Sequence, residues 1–197
     1  MEGAVMEQHG TGPRIGLLLA AGHSRRFGAA DKLLAPLEGA PLVTHAAASL
    51  RAAAPDRLIA VVRSAKVAAC LPGFEPVMLT EAEAPQSASL RAGILRAAEL
   101  GAAGVLVALG DMPRVPASHI SALLACGRAH GLAATLSGDR PMPPAWIAGC
   151  HFDALAGITG DQGARALLRQ TPPQARIACP QDWLADIDRP EDLSPGP

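Results

Sequence analysis

Residues 17–32 read Leu-Leu-Leu-Ala-Ala-Gly-His-Ser-Arg-Arg-Phe-Gly-Ala-Ala-Asp-Lys, an apolar run that becomes cationic within a few residues. The run from Ile15 to Leu19 is wholly apolar, which is typical of a central parallel strand covered on both faces. Small residues at its end, up to Gly22, let a polyanion approach backbone N–H groups. Because open α/β sheets bind ligands at the carboxyl ends of their strands, the stretch predicts a phosphate-binding loop, with a basic surface turn as the alternative.

Strand-like and helix-like segments alternate along the rest of the chain, which predicts one α/β domain with a mostly parallel, doubly wound, Rossmann-like sheet. The predicted strands are 15–19, 57–62, 76–79, 104–109, 132–136 and 145–147. The predicted helices are 41–54, 88–100, 116–130 and 161–170. We expect the domain to cover residues 13–193, between a loose tail at 1–12 and a short tail at 194–197.

The composition narrows the kinds of partner. The 197 residues are 49% hydrophobic and 18% charged, with a formal net charge of −1. Such a chain is not typical of a general nucleic-acid binder, so the basic first loop suits a small phosphorylated ligand. No apolar run approaches about 18 residues, and the polar start lacks the pattern of a signal peptide. We therefore expect no membrane partner and a cytoplasmic location.

The cysteines and histidines form no recognisable metal-binding motif. Cys70, Cys126, Cys150 and Cys179 are too far apart for a CxxC pair, and the six histidines are scattered. We expect the four cysteines to be small buried thiols in a reducing compartment, with a redox or metal role as the alternative.

The first loop does not match the commoner phosphate-binding motifs. Five residues separate Gly22 from Gly28 and no Gly-Lys pair follows, which excludes a Walker loop, and the glycine spacing of a dinucleotide fingerprint is also absent. The loop instead resembles the signature Leu-Ala-Ala-Gly-x-Ser-x-Arg-[Met/Phe]-Gly-x-x-Lys of the MobA/MocA-like nucleotidyltransferases. The matching residues are Leu19, Ala20, Ala21, Gly22, Ser24, Arg26, Phe27 and Gly28, followed by Lys32 after one inserted residue.

Two acidic segments are candidate metal ligands. Asp111 directly follows a buried apolar strand, and a single carboxylate there suits Mg²⁺ held partly by water and substrate phosphates; a turn or capping role is the alternative. Its setting, Gly-Asp-Met-Pro, resembles the metal-binding motif of the family. Asp188 lies in a segment similar to the family's closing Asp-Ile-Asp-Thr-Pro-Glu-Asp-Leu, with Arg189 in place of Thr. We expect Asp188 either to be a second metal ligand or to cap the short helix that follows.

Two other segments are candidate substrate contacts. Ser89 is expected near a helix start, either as a plain cap or, as the resemblance implies, against the nucleoside. Gly160, Asp161 and Arg165 belong to a segment similar to the family's Gly-Asp-x-Gly-Ala-Arg, which implies acceptor binding; for Arg165 a surface ion pair is the alternative. The chain departs from many relatives at residues 140–144, Arg-Pro-Met-Pro-Pro, where a Gly-His-Pro or Gly-Asn-Pro is missing.

The resemblance spans roughly residues 15–193 and implies a GT-A-like fold and a magnesium-dependent nucleotidyl transfer. It implies that Arg26, Lys32 and Asp111 serve catalysis and that Asp111 and Asp188 hold Mg²⁺. It also implies that the nucleotide contacts the first loop and the predicted helix near Ser89. The residues implied are Leu19, Ala20, Ala21, Gly22, Ser24, Arg25 and Ser89.

The resemblance implies CTP and molybdopterin as the substrates. It implies CTP because Ala21 stands where guanylyl relatives carry Gly. A methyl group at position 21 would also narrow the approach of a purine. Transient contact with a molybdoenzyme or its chaperone would follow. The alternatives are a guanylyltransferase, a sugar-phosphate or other small-phosphate nucleotidyltransferase, and a non-catalytic protein that carries the molybdenum cofactor.

Overall fold

The structure, a computed structural model, describes residues 10–22, 27, 31–80, 86–157 and 164–193. Its strands are β1 (Arg14–Ala20), β2 (Pro36–Leu37), β3 (Ala40–Pro41), β4 (Arg57–Val62), β5 (Glu75–Met78), β6 (Gly104–Leu109), β7 (Leu132–Ser137), β8 (Arg140–Ala148) and β9 (Arg176–Ala178). Its α-helices are α1 (Leu42–Ala52), α2 (Ala65–Ala69), α3 (Gln86–Glu99), α4 (Ala117–His130), α5 (Phe152–Ala156) and α6 (Arg165–Leu168). Within these ranges, no helix is long and apolar enough to cross a bilayer.

Seven strands form one sheet in the order β5-β4-β1-β6-β8-β7-β9. The strands β5, β4, β1 and β6 run parallel, and only β8 runs antiparallel to its neighbours. Alternate residues of β1 enter two separate hydrophobic clusters, so that Leu18 faces α1 and α4 while Leu17 faces α3 and α5. The single α/β domain with a mostly parallel, doubly wound sheet is therefore confirmed. The central strand β1 ends where the predicted phosphate loop begins.

The strand boundaries match the prediction best where the apolar run is uninterrupted, as in β4 and β6. The predicted strand 145–147 is too short, because β8 begins at Arg140 and includes three prolines. This proline-rich half pairs with β7 alone, through Met142, Pro141 and Arg140, whereas β6 pairs only with residues 145–148. Proline is tolerated there because one side of the strand needs no donor. Of the predicted helix 161–170, the described part is helical only over α6, and residues 158–163 lie outside the described residues.

The prediction of buried cysteines is wrong. Cys70, Cys126 and Cys179 are half-buried, Cys150 is exposed, and all four are free thiols. They lie on helices and at strand ends near the surface, where only part of each side chain meets the core. Burial raises the pKa of the Cys126 and Cys179 thiols, so both remain protonated at neutral pH.

Trp146 fills the space between the sheet and α4. Its side chain is 2% exposed, and its indole lies against the backbone of Gly104 and Gly127. A Cβ atom at Gly127 would overlap the indole directly. Glycine is therefore required at Gly127 for close approach, although it lowers the intrinsic stability of helix α4.

Gly127→Ala should lower the free energy of unfolding by about 1–3 kcal/mol, because an added methyl group in a filled core forces side chains and backbone apart. Chemical denaturation measures the change. Gly157→Ala is the matched control, because a Cβ at Gly157 would meet only ordinary contacts at 3.8 and 3.9 Å. Equal stability of the two variants would show that the Trp146 packing yields without cost.

Candidate functional site

The first residues after β1 and β6 lie side by side at the carboxyl edge of the sheet. Leu19 and Ala20 end β1, Ala21 and Gly22 follow, and the backbone N–H of Gly110 donates to the Leu19 carbonyl at 2.9 Å. Asp111 comes next after Gly110, so its carboxylate is placed beside the first loop. A Cβ added to Gly22 would meet no atom of the other described residues within 4 Å.

Lys32 is the buried centre of the site. It begins a short 3-10 helix, Lys32–Leu34, whose first turn is capped by the Asp31 side chain accepting from Leu33 N–H at 3.0 Å. Only 6% of Lys32 is exposed, and its ammonium donates to Asp111 Oδ2 at 2.8 Å and to Asp188 Oδ1 at 2.9 Å. The cation is therefore enclosed between two carboxylates and is not displayed on the surface of the loop.

The balance of forces keeps Lys32 charged. Burial lowers the pKa of the ammonium, but attraction to Asp111 and hydrogen bonds to Asp111 and Asp188 outweigh it, so that the pKa lies above its ordinary value of 10.5. A charged ammonium with two carboxylate partners has two of its three donors satisfied by charge-assisted hydrogen bonds.

Asp188 reaches the site because its chain segment is anchored on both sides. The Ile187 N–H donates to the Asp111 carbonyl at 3.0 Å, which joins the C-terminal segment to the loop after β6. The Asp192 carboxylate accepts from the N–H groups of Asp188 at 2.9 Å and Arg189 at 2.8 Å. Asp192, for which no role was predicted, thus accepts the hydrogen bonds that cap this turn. The Asp188 carboxylate bonds instead to the Lys32 ammonium.

A second anchor of this segment is Trp183, in the 3-10 helix Gln181–Leu184. Its ring meets His119 of α4 edge to face, with centroids 6.1 Å apart. Thr135 donates its hydroxyl to the Pro144 carbonyl at 2.8 Å and accepts from His119 Nε2 at 2.8 Å. Burial lowers the pKa of His119, which favours the neutral imidazole. The divergent residues 140–144 are thereby tied to the same end of the molecule as Asp188.

The other predicted site residues are placed less directly. Ser89 lies in the first turn of α3, three residues after the helix begins at Gln86, so it is not the cap residue. Arg165 is exposed at the first position of α6, beside β7 and β8. The remaining ones, Ser24, Arg25, Arg26, Gly160 and Asp161, lie outside the described residues.

Ala21 does not line the open side of the loop. Its side chain is 6% exposed and belongs to the cluster that Leu17, Leu90 and Ile94 also form. The methyl group therefore packs into the core. In this position it gives no steric reason for the site to prefer a pyrimidine over a purine.

Arg63 is a polar residue of this edge that no motif indicated. It follows β4, and its guanidinium donates from Nε to the Ala21 carbonyl at 2.8 Å and from Nη1 to the Thr80 carbonyl at 2.7 Å. The only sequence signal was its position directly after an apolar parallel strand, where side chains reach the ligand edge of the sheet.

The arrangement suits a divalent cation shared with an anionic ligand. Asp111 and Asp188 both bind one cation, the Lys32 ammonium, so their carboxylates converge on the same point of the site. In the described part of the chain, no group of three or more His, Cys, Asp or Glu residues is arranged to hold a metal ion. Magnesium fits such a sparse donor set, because it commonly takes one or two carboxylates and completes its shell with water and phosphate.

Comparison with known proteins identifies the class. The model of the MobA-like NTP transferase domain matches residues 16–176, and the chain belongs to this family. The purine catabolism protein PucB of Bacillus subtilis (strain 168) is 31% identical over 195 residues, which cover 90% of this chain and 93% of PucB. The nicotine blue oxidoreductase of Paenarthrobacter nicotinovorans is 30% identical over 193 residues, which cover 92% of this chain and 89% of that protein.

A third relative is a probable molybdenum cofactor guanylyltransferase of Haloferax mediterranei. It is 34% identical over a region that covers 73% of this chain and 69% of that protein. Among solved structures, Rv0371c from Mycobacterium tuberculosis H37Rv is 27% identical and superposes with a TM-score of 0.76. The superposition covers 91% of this chain and 95% of the Rv0371c chain. Its complex with manganese superposes with a TM-score of 0.68 at 25% identity, over 85% and 87% of the two chains.

Proposed function

We propose that this protein is a nucleotidyltransferase that moves a nucleoside monophosphate from a nucleoside triphosphate to a phosphate-bearing acceptor. The observation that carries the proposal is the convergence of Lys32, Asp111 and Asp188 beside the first loop, at the edge where an α/β sheet binds ligands. The family match supports the reaction class. An acceptor phosphate oxygen bonds to the α-phosphorus, the bond from the α-phosphorus to the bridging oxygen breaks, and pyrophosphate leaves.

Asp111 and Asp188 would hold the metal ion, for which we propose Mg²⁺. Once bound, the ion would neutralise negative charge on the phosphates. The manganese complex of Rv0371c supports the use of a divalent cation in this fold. Lys32 is the adjacent fixed positive charge, and with two carboxylate partners it is held where a triphosphate would meet it.

The chemistry needs no general base from the chain. A phosphate monoester loses its second proton with a pKa of about 6, so it is already a nucleophile near neutral pH. Catalysis would then depend on alignment and on charge stabilisation by Lys32 and by Arg26 or Arg25 of the first loop.

We propose CTP as the nucleotide and molybdopterin as the acceptor, in the cytoplasm, with transient delivery to a molybdoenzyme or its chaperone. Support for CTP is the Ala20-Ala21-Gly22 sequence, which resembles the cytidylyl branch of the family. Gly160, Asp161 and Arg165 would contact the acceptor, and Leu19 to Gly22, Ser24 and Ser89 the nucleotide. GTP is the second candidate, because a relative 34% identical to this chain is a probable guanylyltransferase.

The test is pyrophosphate release with each of the four nucleoside triphosphates, without an acceptor, with molybdopterin and with a sugar phosphate. We expect release with CTP that depends on both molybdopterin and a divalent cation. Preference for GTP would overturn the cytidylyl assignment, and release only with a sugar phosphate would overturn the acceptor. Tight binding of molybdopterin without release from any triphosphate would instead identify a carrier protein.

A further inference from the structure

Arg63 connects three neighbouring strands just beyond the point where their backbone hydrogen bonds end. The last paired residues of β1 and β4 are Ala20 and Val62, and beyond β5 the Leu79 N–H still donates to the Val62 carbonyl at 2.9 Å. One residue further along each chain, the Arg63 side chain binds the carbonyls of Ala21 and Thr80. Because β4 lies between β1 and β5, a single guanidinium joins the two loops on either side of its own strand.

The bond to Ala21 also fixes the direction of the next backbone donor. A trans peptide is planar, so a carbonyl that points at Arg63 sends the N–H of Gly22 to the opposite side. Gly22 is exposed, and among the described residues none would contact a Cβ at this position. Arg63 therefore holds the Gly22 N–H in one orientation, away from the guanidinium. An oriented N–H in a small-residue loop is the donor that a phosphate oxygen needs.

The bond to Thr80 lies on the other side of β4. Thr80 comes two residues after β5, next to Leu79, whose N–H is still bonded to the Val62 carbonyl. The guanidinium thus fixes the Ala21 and Thr80 carbonyls relative to one another across the end of β4. The proposed function assigns the Ala21–Gly22 side of this link to the nucleotide.

We propose that Arg63 is a positioning residue for nucleoside triphosphate binding, which fixes the Ala21–Gly22 peptide relative to Thr80. The inference rests on the proposed function, since it names how that same site is organised. Arg63 acts through the backbone of other residues and is not itself assigned a contact with the reacting atoms. Its fork of donors is what allows one side chain to bind two carbonyls, which a lysine ammonium reproduces poorly.

The experiment compares Arg63→Ala with Arg57→Ala. Arg57 is exposed at the opposite end of the same strand, so it controls for loss of an arginine from β4. Titration calorimetry with CTP and Mg²⁺ gives Kd, and pyrophosphate release gives KM and kcat. We expect Kd and KM to rise at least about tenfold in Arg63→Ala, which corresponds to about 1.4 kcal/mol, with a smaller change in kcat. Arg57→Ala should behave as the wild type.

Rescue separates positioning from a general loss of structure. Millimolar guanidinium ion should lower the KM of Arg63→Ala towards the wild-type value and leave Arg57→Ala unchanged. Arg63→Lys, which keeps the charge but not the fork of donors, should have an intermediate KM. An unchanged Kd in Arg63→Ala or Arg63→Lys, or no rescue, would overturn this inference alone. Absence of triphosphate binding by the wild type would overturn the proposed function and this inference with it.

Discussion

Replacing Asp111 with asparagine should reduce pyrophosphate release at least a hundredfold, a loss of on the order of 3 kcal/mol in transition-state stabilisation. Asparagine keeps the shape of the side chain but removes the charge that binds both Lys32 and the proposed metal ion. The folded structure should persist, because the backbone bond from Ile187 to the Asp111 carbonyl does not involve the side chain. Steady-state pyrophosphate release at saturating CTP and Mg²⁺ measures the effect.

Asp153→Asn is the control for this substitution. Asp153 is an exposed acid in the first turn of α5. This helix follows the end of β8 that pairs with the start of β6, so Asp153 lies at the edge of the sheet opposite the ligand edge. It should retain wild-type activity. A near-normal rate in Asp111→Asn, with both variants folded, would remove Asp111 from the metal site and undermine the proposed mechanism.

Lys32→Met should impair both activity and stability. The substitution removes the positive charge proposed to meet the triphosphate, so we expect about a hundredfold lower rate. It also removes the ammonium that Asp111 and Asp188 both bind. Fully buried pairs lose about 3–5 kcal/mol when one partner is removed, but these carboxylates are 27% and 41% exposed, so we expect a loss of about 1–3 kcal/mol. Urea denaturation without ligand measures it.

The double variant Lys32→Met with Asp111→Asn tests the cause. Removing one carboxylate relieves the repulsion, so the double variant should be more stable than Lys32→Met alone. Added Mg²⁺ should also raise the Tm of Lys32→Met more than that of the wild type, because the ion replaces the missing charge. If Lys32→Met unfolds at the wild-type urea concentration, the two ion pairs contribute nothing to stability.

Much of the fold could be predicted because its central strands are continuous apolar runs bounded by turn signals. β4 and β6 begin and end where the sequence predicts, since strands covered on both faces leave no polar residue inside them. The full length of β8 could not be predicted, because its prolines are compatible with a strand only when one side is left without a donor. That condition depends on which neighbours pair with it, and the sequence does not state them.

The candidate site could be predicted in outline. Lys32 is 79 residues from Asp111 and 156 from Asp188, yet the three side chains meet. Asp111 is expected at the ligand edge because it directly follows a parallel strand, whereas Lys32 and Asp188 are indicated by the family resemblance alone. Their catalytic and metal-binding roles stay predictions. The burial of Lys32, the capping by Asp192 and the bridge by Arg63 depend on distances between loops. Local sequence patterns carry no record of those distances.

The edge-to-face contact of Trp183 with His119 gives the protein an optical signal near its proposed site. The chain has two tryptophans and no tyrosine, so intrinsic fluorescence comes from Trp146 and Trp183 alone. Trp146 is sealed in the core, and its emission should respond only to unfolding. Trp183 is half-buried, five residues before Asp188, and so a change of emission on adding metal or nucleotide would come from the segment that carries that carboxylate. Ligand binding at this edge can therefore be followed without a label.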